Sequence, residues 1–95
     1  MPDPADISPL DGLIGRVVVL DLRSRFVCLG TLAAAHDAFL ELRDADLHDL
    51  RDSTATRETY VFDSRRLGIR RNRKRVLVAR EEVVGIAAFD DVVSD

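Results

Sequence analysis

The sequence has no tryptophan and a single cysteine, and only 5% of its 95 residues are aromatic. One thiol cannot close an intrachain disulfide, so a reducing compartment is expected. Cys28 sits between Val27 and Leu29, and reads as a small buried hydrophobe rather than a nucleophile. With so few rings, the core has to be aliphatic, drawn from a chain that is 46% hydrophobic. No apolar run approaches the ~20 residues that span a bilayer. The opening MPDPADISP lacks the apolar centre of a secretory signal. Together these absences predict a cytoplasmic protein with no membrane partner.

Positive charge is also in deficit. The chain carries 14 Lys and Arg against 17 Asp and Glu, a net charge of −3, which argues against nucleic-acid binding through overall charge. There is no Gly-x-Ser-x-Gly turn, phosphate-binding glycine loop or HExxH helix, so no catalytic residue and no cofactor is assigned, and an enzyme is not expected. Asp46, His48 and Asp52 offer oxygen and imidazole donors, but at no recognised metal-ligand spacing. They read as a solvated segment with local Asx hydrogen bonds, and no metal is assigned.

What is present is strand-like alternation. From Arg16 to Leu22, Val18, Leu20 and Leu22 share one face, opposite Val17, Val19 and Asp21, the period of a half-buried strand. Arg23-Ser24-Arg25 is short and polar enough for a hairpin turn. A second run, Phe26 to Ala34, contains Gly30, and a glycine inside a strand marks a bulge or sharp bend. The third run, Ala38 to Ala45, alternates Ala38, Leu40 and Leu42 with Phe39, Glu41 and Arg43. Three consecutive strands with a bend in the middle one predict a small, strongly curved sheet rolling towards a barrel.

Around this centre, Ser8-Pro9-Leu10-Asp11 predicts a short helix over Pro9–Ile14, ended by Gly15 and covering one end of the barrel. The polar stretch Asp46 to Thr59 leads into a second helix, capped by Ser53 or Thr54 and stopped at Gly68, with Tyr60, Val61, Ser64 and Leu67 near one stripe. The alternative for this segment is a long hairpin extending strands three and four. Val76–Val78 and Val83–Phe89 flank the polar Ala79–Glu82 and predict a closing hairpin. The domain plan is a tail over 1–8, one domain over 9–89 with an insert at 46–72, and a second tail over 90–95.

This order resembles the Sm and Sm-like (LSm) family, in the manner of a divergent bacterial or archaeal-type member. One part of the resemblance lies in Leu22-Arg23-Ser24-Arg25, Gly30-Thr31-Leu32 and Asp37-Ala38-Phe39-Leu40-Glu41-Leu42. The other lies in Val76 through Ile86, an apolar strand, a short turn and another apolar strand. The resemblance implies a mainly β fold, a five-stranded, strongly bent antiparallel barrel (Sm-like or SH3-like) with a short N-terminal helix and a helical insert between strands three and four. It also implies a homo-oligomeric ring of six or seven subunits, in which strands four and five of neighbours pair. Three departures stand beside the matches. Glu41 occupies the place of the family's uracil-reading Asn, Ala79-Arg80 replaces its Arg-Gly pair, and Asp37 is reached with one extra residue after Gly30.

Two functional expectations follow. Arg65, Arg66, Arg70, Arg71, Arg73, Lys74 and Arg75 form a basic stretch whose guanidinium forks suit phosphate. With Asp37, Glu41 and Arg80 near the pore, Arg70 to Arg75 make single-stranded RNA a candidate partner of an RNA-binding, chaperone or scaffold ring. The bland reading of the same cations is a solvated face paired with the acidic Asp44 to Asp63, in the same subunit or the next one. The alternative function is a structural or protein-interaction ring without nucleotide readout, which Glu41 and Ala79 favour. In either case Val76, Val78, Val83, Val84, Ile86 and Phe89 are the expected subunit interface.

Overall fold

In the computed structural model, which describes residues 8–93, the chain is mainly β with one α-helix. The strands are β1 (Val17–Leu22), β2 (Phe26–Ala35), β3 (Phe39–Asp49), β4 (Arg73–Ala79) and β5 (Val83–Ala88), with α1 (Arg57–Leu67) between β3 and β4. They form one antiparallel sheet in the order β4-β3-β2-β1-β5. Consecutive pairing of β1, β2 and β3 follows from the short polar turns between alternating runs.

The bend sits where Gly30 predicts it. Between the pairs Leu29↔Asp46 and Thr31↔Arg43, β3 carries an extra residue, and Asp44 adopts φ 50° there. This bulge switches the side-chain alternation of β3. Leu40 and Leu42 point into the main core before it, and Ala45 and Leu47 do so after it. A β-carbon on Gly30 would lie 2.9 Å from Ala45 Cβ, so glycine is required for close approach. A second bulge puts an extra residue on β2, between the pairs Leu32↔Leu42 and Ala34↔Glu41.

The sheet buries both faces. Val18, Leu20, Leu22, Cys28, Leu32 and Leu42 lie at the centre of the main core, roofed by Leu10 and Leu13 of a short 3-10 turn, Pro9–Leu13, whose N-cap is Ser8. On the opposite face Val19, Val27 and Leu29 pack with Val61 of α1. His48 of β3 stacks on Tyr60 at a 3.9 Å centroid distance and 7° between planes, fixing the helix over the end of the sheet. Thr56 caps α1 by accepting from Thr59 N–H, and Gly68, at φ 100°, ends it by donating to Ser64 O.

Several expectations are corrected. The sheet does not close into a barrel, because β4 and β5 are opposite edges that do not pair with each other. For the same reason the closing hairpin is absent. The 3-10 turn Arg80–Glu82 is pinned at both ends, Arg80 N–H donating to Ala38 O at 2.9 Å and Arg23 N–H donating to Glu82 O at 2.7 Å. The chain therefore crosses to the β1 edge instead of folding back. Near the crossing, a cleft of about 290 Å³ opens among Leu22, Phe26, Leu47, Val76 and Val78.

The insert is shorter than 46–72, since β3 runs on to Asp49, partly as the long-hairpin alternative has it. Next comes the 3-10 turn Leu50–Asp52, capped by Asp49, so α1 begins after Ser53 and Thr54. Leu67 is 76% exposed and stands off the buried stripe. The C-terminal tail is not wholly free, because Phe89–Asp91 form a 3-10 turn and Val92 packs on the second core. Residues 1–7 of the expected N-terminal tail, and 94–95, lie outside the described residues. Among those described, no helix is long and apolar enough to cross a membrane.

Candidate functional site

Two features of the sheet invite a partner: its unpaired edges and a charged cluster beside one of them. Among the described residues β4 bonds only β3, and β5 bonds only β1, which leaves a row of backbone donors and acceptors on each outer side. The expected interface residues divide by face. Val78 is buried, and Val76, Val83 and Ile86 pack against the main core. Phe89 belongs to the second core. Val84 alone among them is strongly exposed, at 69%.

Sequence reasoning overlooked Leu77 and Phe39, which are exposed on the outer face by β4 at 45% and 42%. Leu77 alternates with the inward Val76 and Val78, and that parity was the available signal. Beside β5, a cleft of about 350 Å³ is lined by Val61, Val84, Ala87, Val92 and Val93. Arg57 crosses its rim, with Nη2 3.3 Å from Ser24 O and Nε 3.9 Å from Asp21 Oδ1.

The charged cluster centres on Glu41, whose side chain is only 9% exposed. Arg75 of β4 grips the carboxylate through Nε to Oε2 at 3.2 Å and Nη2 to Oε1 at 3.3 Å. His36 Nε2 lies 3.2 Å from Oε1, and Arg43 Nη2 lies 3.6 Å from Oε2. Arg80 joins from the far side, its Nε donating to His36 O at 2.6 Å. Glu41, Arg75 and Arg80, three of the expected RNA contacts, are thus brought together around His36. Asp37 lies exposed in the adjoining turn.

These contacts consume the groups that would read a base. A carboxylate held by two guanidinium groups and an imidazole is an anchor for β4 and for the β2–β3 turn. His36 and Arg43 are the partners sequence reasoning missed. Arg43 was detectable two residues from Glu41 on the same strand face, whereas Arg75 reaches it only through β3–β4 pairing.

The remaining cations are spread out. Arg65 donates to Val92 O at 2.8 Å and lies over the Phe89 ring. Arg73 donates to Asn72 O. Arg66, Arg70, Arg71 and Lys74 are exposed and make no ion pair among the described residues, so the expected pairing with Asp44 to Asp63 does not form within the subunit. Asn72, which sequence reasoning overlooked, holds this stretch to β3. Its Nδ2 donates to Asp46 Oδ1 and Leu47 O, and its Oδ1 accepts from Leu47 N–H. Burial raises the Asp46 pKa, opposed by the nearby His48, the Asn72 hydrogen bond and Arg70. Burial, with the Asp46 charge, pushes the Cys28 thiol up to about 12, which leaves no thiolate at neutral pH.

No family model, curated protein or solved structure matches the chain.

The Glu41 cluster carries a pH dependence. Hydrogen bonds from Arg75 and then His36 hold its carboxyl down to about 2, against an opposing burial effect. The unfolded chain takes up this proton at higher pH, so the contribution is complete above the ordinary glutamate value and disappears as pH falls through about 2. Asp49, held to about 2 by Arg51, shares that window. Stability of Glu41→Gln followed by denaturant titration from neutral pH to pH ~2 is expected to fall less steeply than wild type between those limits. An unchanged slope would mean that Glu41 is unpaired in solution.

Proposed function

We propose that this chain is a self-assembling β subunit, Sm-like in plan, that builds a closed homo-oligomer by pairing β4 of one copy with β5 of the next and serves as a protein scaffold. The observation carrying the reading is the pair of unpaired edges at opposite ends of one five-stranded sheet. Such edges template pairing with another chain, and a head-to-tail match between two different edges generates rings when the rotation closes. Exposed apolar side chains accompany both edges: Leu77 and Phe39 beside β4, Val84 and Val93 beside β5. Further support for the Sm-like plan comes from the Gly30 bend, and the bulge on β2 between Gly30 and Asp37 absorbs the one residue by which this chain departs from the family spacing. Scaffolding is favoured over nucleotide readout because Glu41 is locked to Arg75 and His36.

Light scattering at micromolar concentration tests the reading directly. The wild type is expected to run as an oligomer, and Leu77→Lys combined with Val84→Lys as a folded monomer, since charge on an edge strand blocks pairing. A wild type that stays monomeric would remove the proposal.

Exposure of Arg70, Arg71 and Lys74 favours a second reading, in which the assembled ring holds single-stranded RNA. Titration with labelled oligo-U and oligo-A at low and high salt decides it, because phosphate contacts make affinity fall with salt at a slope of about −0.7 per phosphate neutralised.

A further inference from the structure

The chain separates its charges along its two open edges. Arg71 precedes β4 and Arg73 and Lys74 begin it, and Asp90 and Asp91 follow β5. All five are exposed, and none makes an ion pair among the described residues. We infer that these groups form a charge clamp between copies, Arg71 and Lys74 of one subunit flanking Asp90 and Asp91 of the next. The inference rests on the edge-pairing reading and specifies its register and its electrostatics.

The register follows from strand geometry. Directly opposed residues in an antiparallel pair share a face. The inward residues are Val76 and Val78 on β4, and on β5 Ile86 and, opposite Val18, Ala88. Matching inward faces along Gly85–Ala88, with the greatest overlap of the two strands, places Val76 opposite Ile86 and Lys74 opposite Ala88, and the β5 bulge at Val84 shifts the alternation beyond Gly85. Two to three positions beyond that pair, past the strand ends, Asn72 and Arg71 come to the Phe89–Asp91 turn that carries Asp90 and Asp91. On the outer face the same register lays the exposed Leu77 over Gly85, between Val84 and Ala87.

The cations that suit phosphate are therefore assigned to the neighbouring subunit. Complementary charge favours the antiparallel match, in which the basic start of β4 meets the acidic end of β5. A parallel match would instead bring Glu81 and Glu82 to the start of β4, which gives the test a discriminating arm.

The experiment uses two charge-reversed proteins, Arg71→Glu/Lys74→Glu and Asp90→Lys/Asp91→Lys, sized by light scattering alone and mixed. None of the four side chains is hydrogen-bonded within the subunit among the described residues, so circular dichroism is expected to stay at wild-type values, with melting lowered only by the weaker assembly. Each variant alone carries like charge on both edges, and its assembly constant is expected to fall at least about tenfold, a shift of 1.4 kcal/mol. The equimolar mixture is expected to assemble again, because each acidic edge then meets a basic one. Wild-type assembly by both variants would overturn the clamp while leaving edge pairing intact. So would variants that dissociate but fail to assemble on mixing, or that stay assembled and lose only oligo-U binding. Dissociation by Glu81→Lys/Glu82→Lys in place of Asp90→Lys/Asp91→Lys would also overturn it, in favour of a parallel match. A wild type that is monomeric throughout would remove the edge-pairing reading itself.

Discussion

Gly30→Ala is expected to destabilise the protein by about 1–3 kcal/mol, the cost of forcing a methyl group into a filled core. The added carbon would sit 2.9 Å from Ala45 Cβ, 3.0 Å from Ala45 Cα and 3.1 Å from Arg43 O. Two of those three neighbours are backbone atoms of β3, so no flexible side chain can swing aside. The strand would have to move off β2 where Asp44, at φ 50°, already forms the bulge. Denaturant unfolding of Gly30→Ala, Ala45→Gly and the double variant measures the effect as a coupling energy. Partial recovery in the double variant is expected, because Ala45 Cβ is the nearest clash but Arg43 O remains. Additive losses would place the bend elsewhere.

Leu29→Ala is expected to cost about 2–5 kcal/mol, from lost burial plus the cavity left behind. Leu29 is fully buried in the outer core, with Val19 and Val27 beside it and Val61 of α1 packed over them. That core is small, and α1 has few other attachments: the His48–Tyr60 stack, Arg57 with Ser24 O and Asp21, and Arg65 with Val92 O and the Phe89 ring. Amide exchange along Arg57–Leu67 is therefore expected to accelerate more than exchange along β1. A loss below about 1 kcal/mol, with α1 exchange unchanged, would show that the helix is held by its other contacts.

Much of the local structure was legible because it depends on near neighbours. Period-two alternation marked β1 and the first half of β3, Gly30 marked the bend, and Ser64 through Gly68 marked the end of α1. The start of α1 was misplaced because Ser53, Thr54 and Thr56 are all competent caps. Only Thr56 remains in position once Asp49 caps the 3-10 turn at Leu50. The second half of β3 was hidden by its own bulge. A switch of alternation at Asp44 reads, in one dimension, as the end of a strand.

Edge pairing by β4 was misread for a different reason. A short polar link between apolar strands normally makes a hairpin, but the link's end groups are engaged by Ala38 O and Arg23 N–H, far away in sequence. The Glu41 cluster belongs to the same class, since Arg75 arrives 34 positions later along the chain.

By itself, then, the sequence determined an aliphatic, bent, five-strand plan with one capped helix and a concentrated basic stretch. Those properties are written in side-chain periodicity and backbone allowance over a few residues. Tertiary structure alone decided that β4 and β5 become separate edges, that α1 covers the outer face, and that Glu41 serves as an anchor. Each of those outcomes turns on contacts between distant segments, whose formation depends on how the bent sheet brings them within hydrogen-bonding reach.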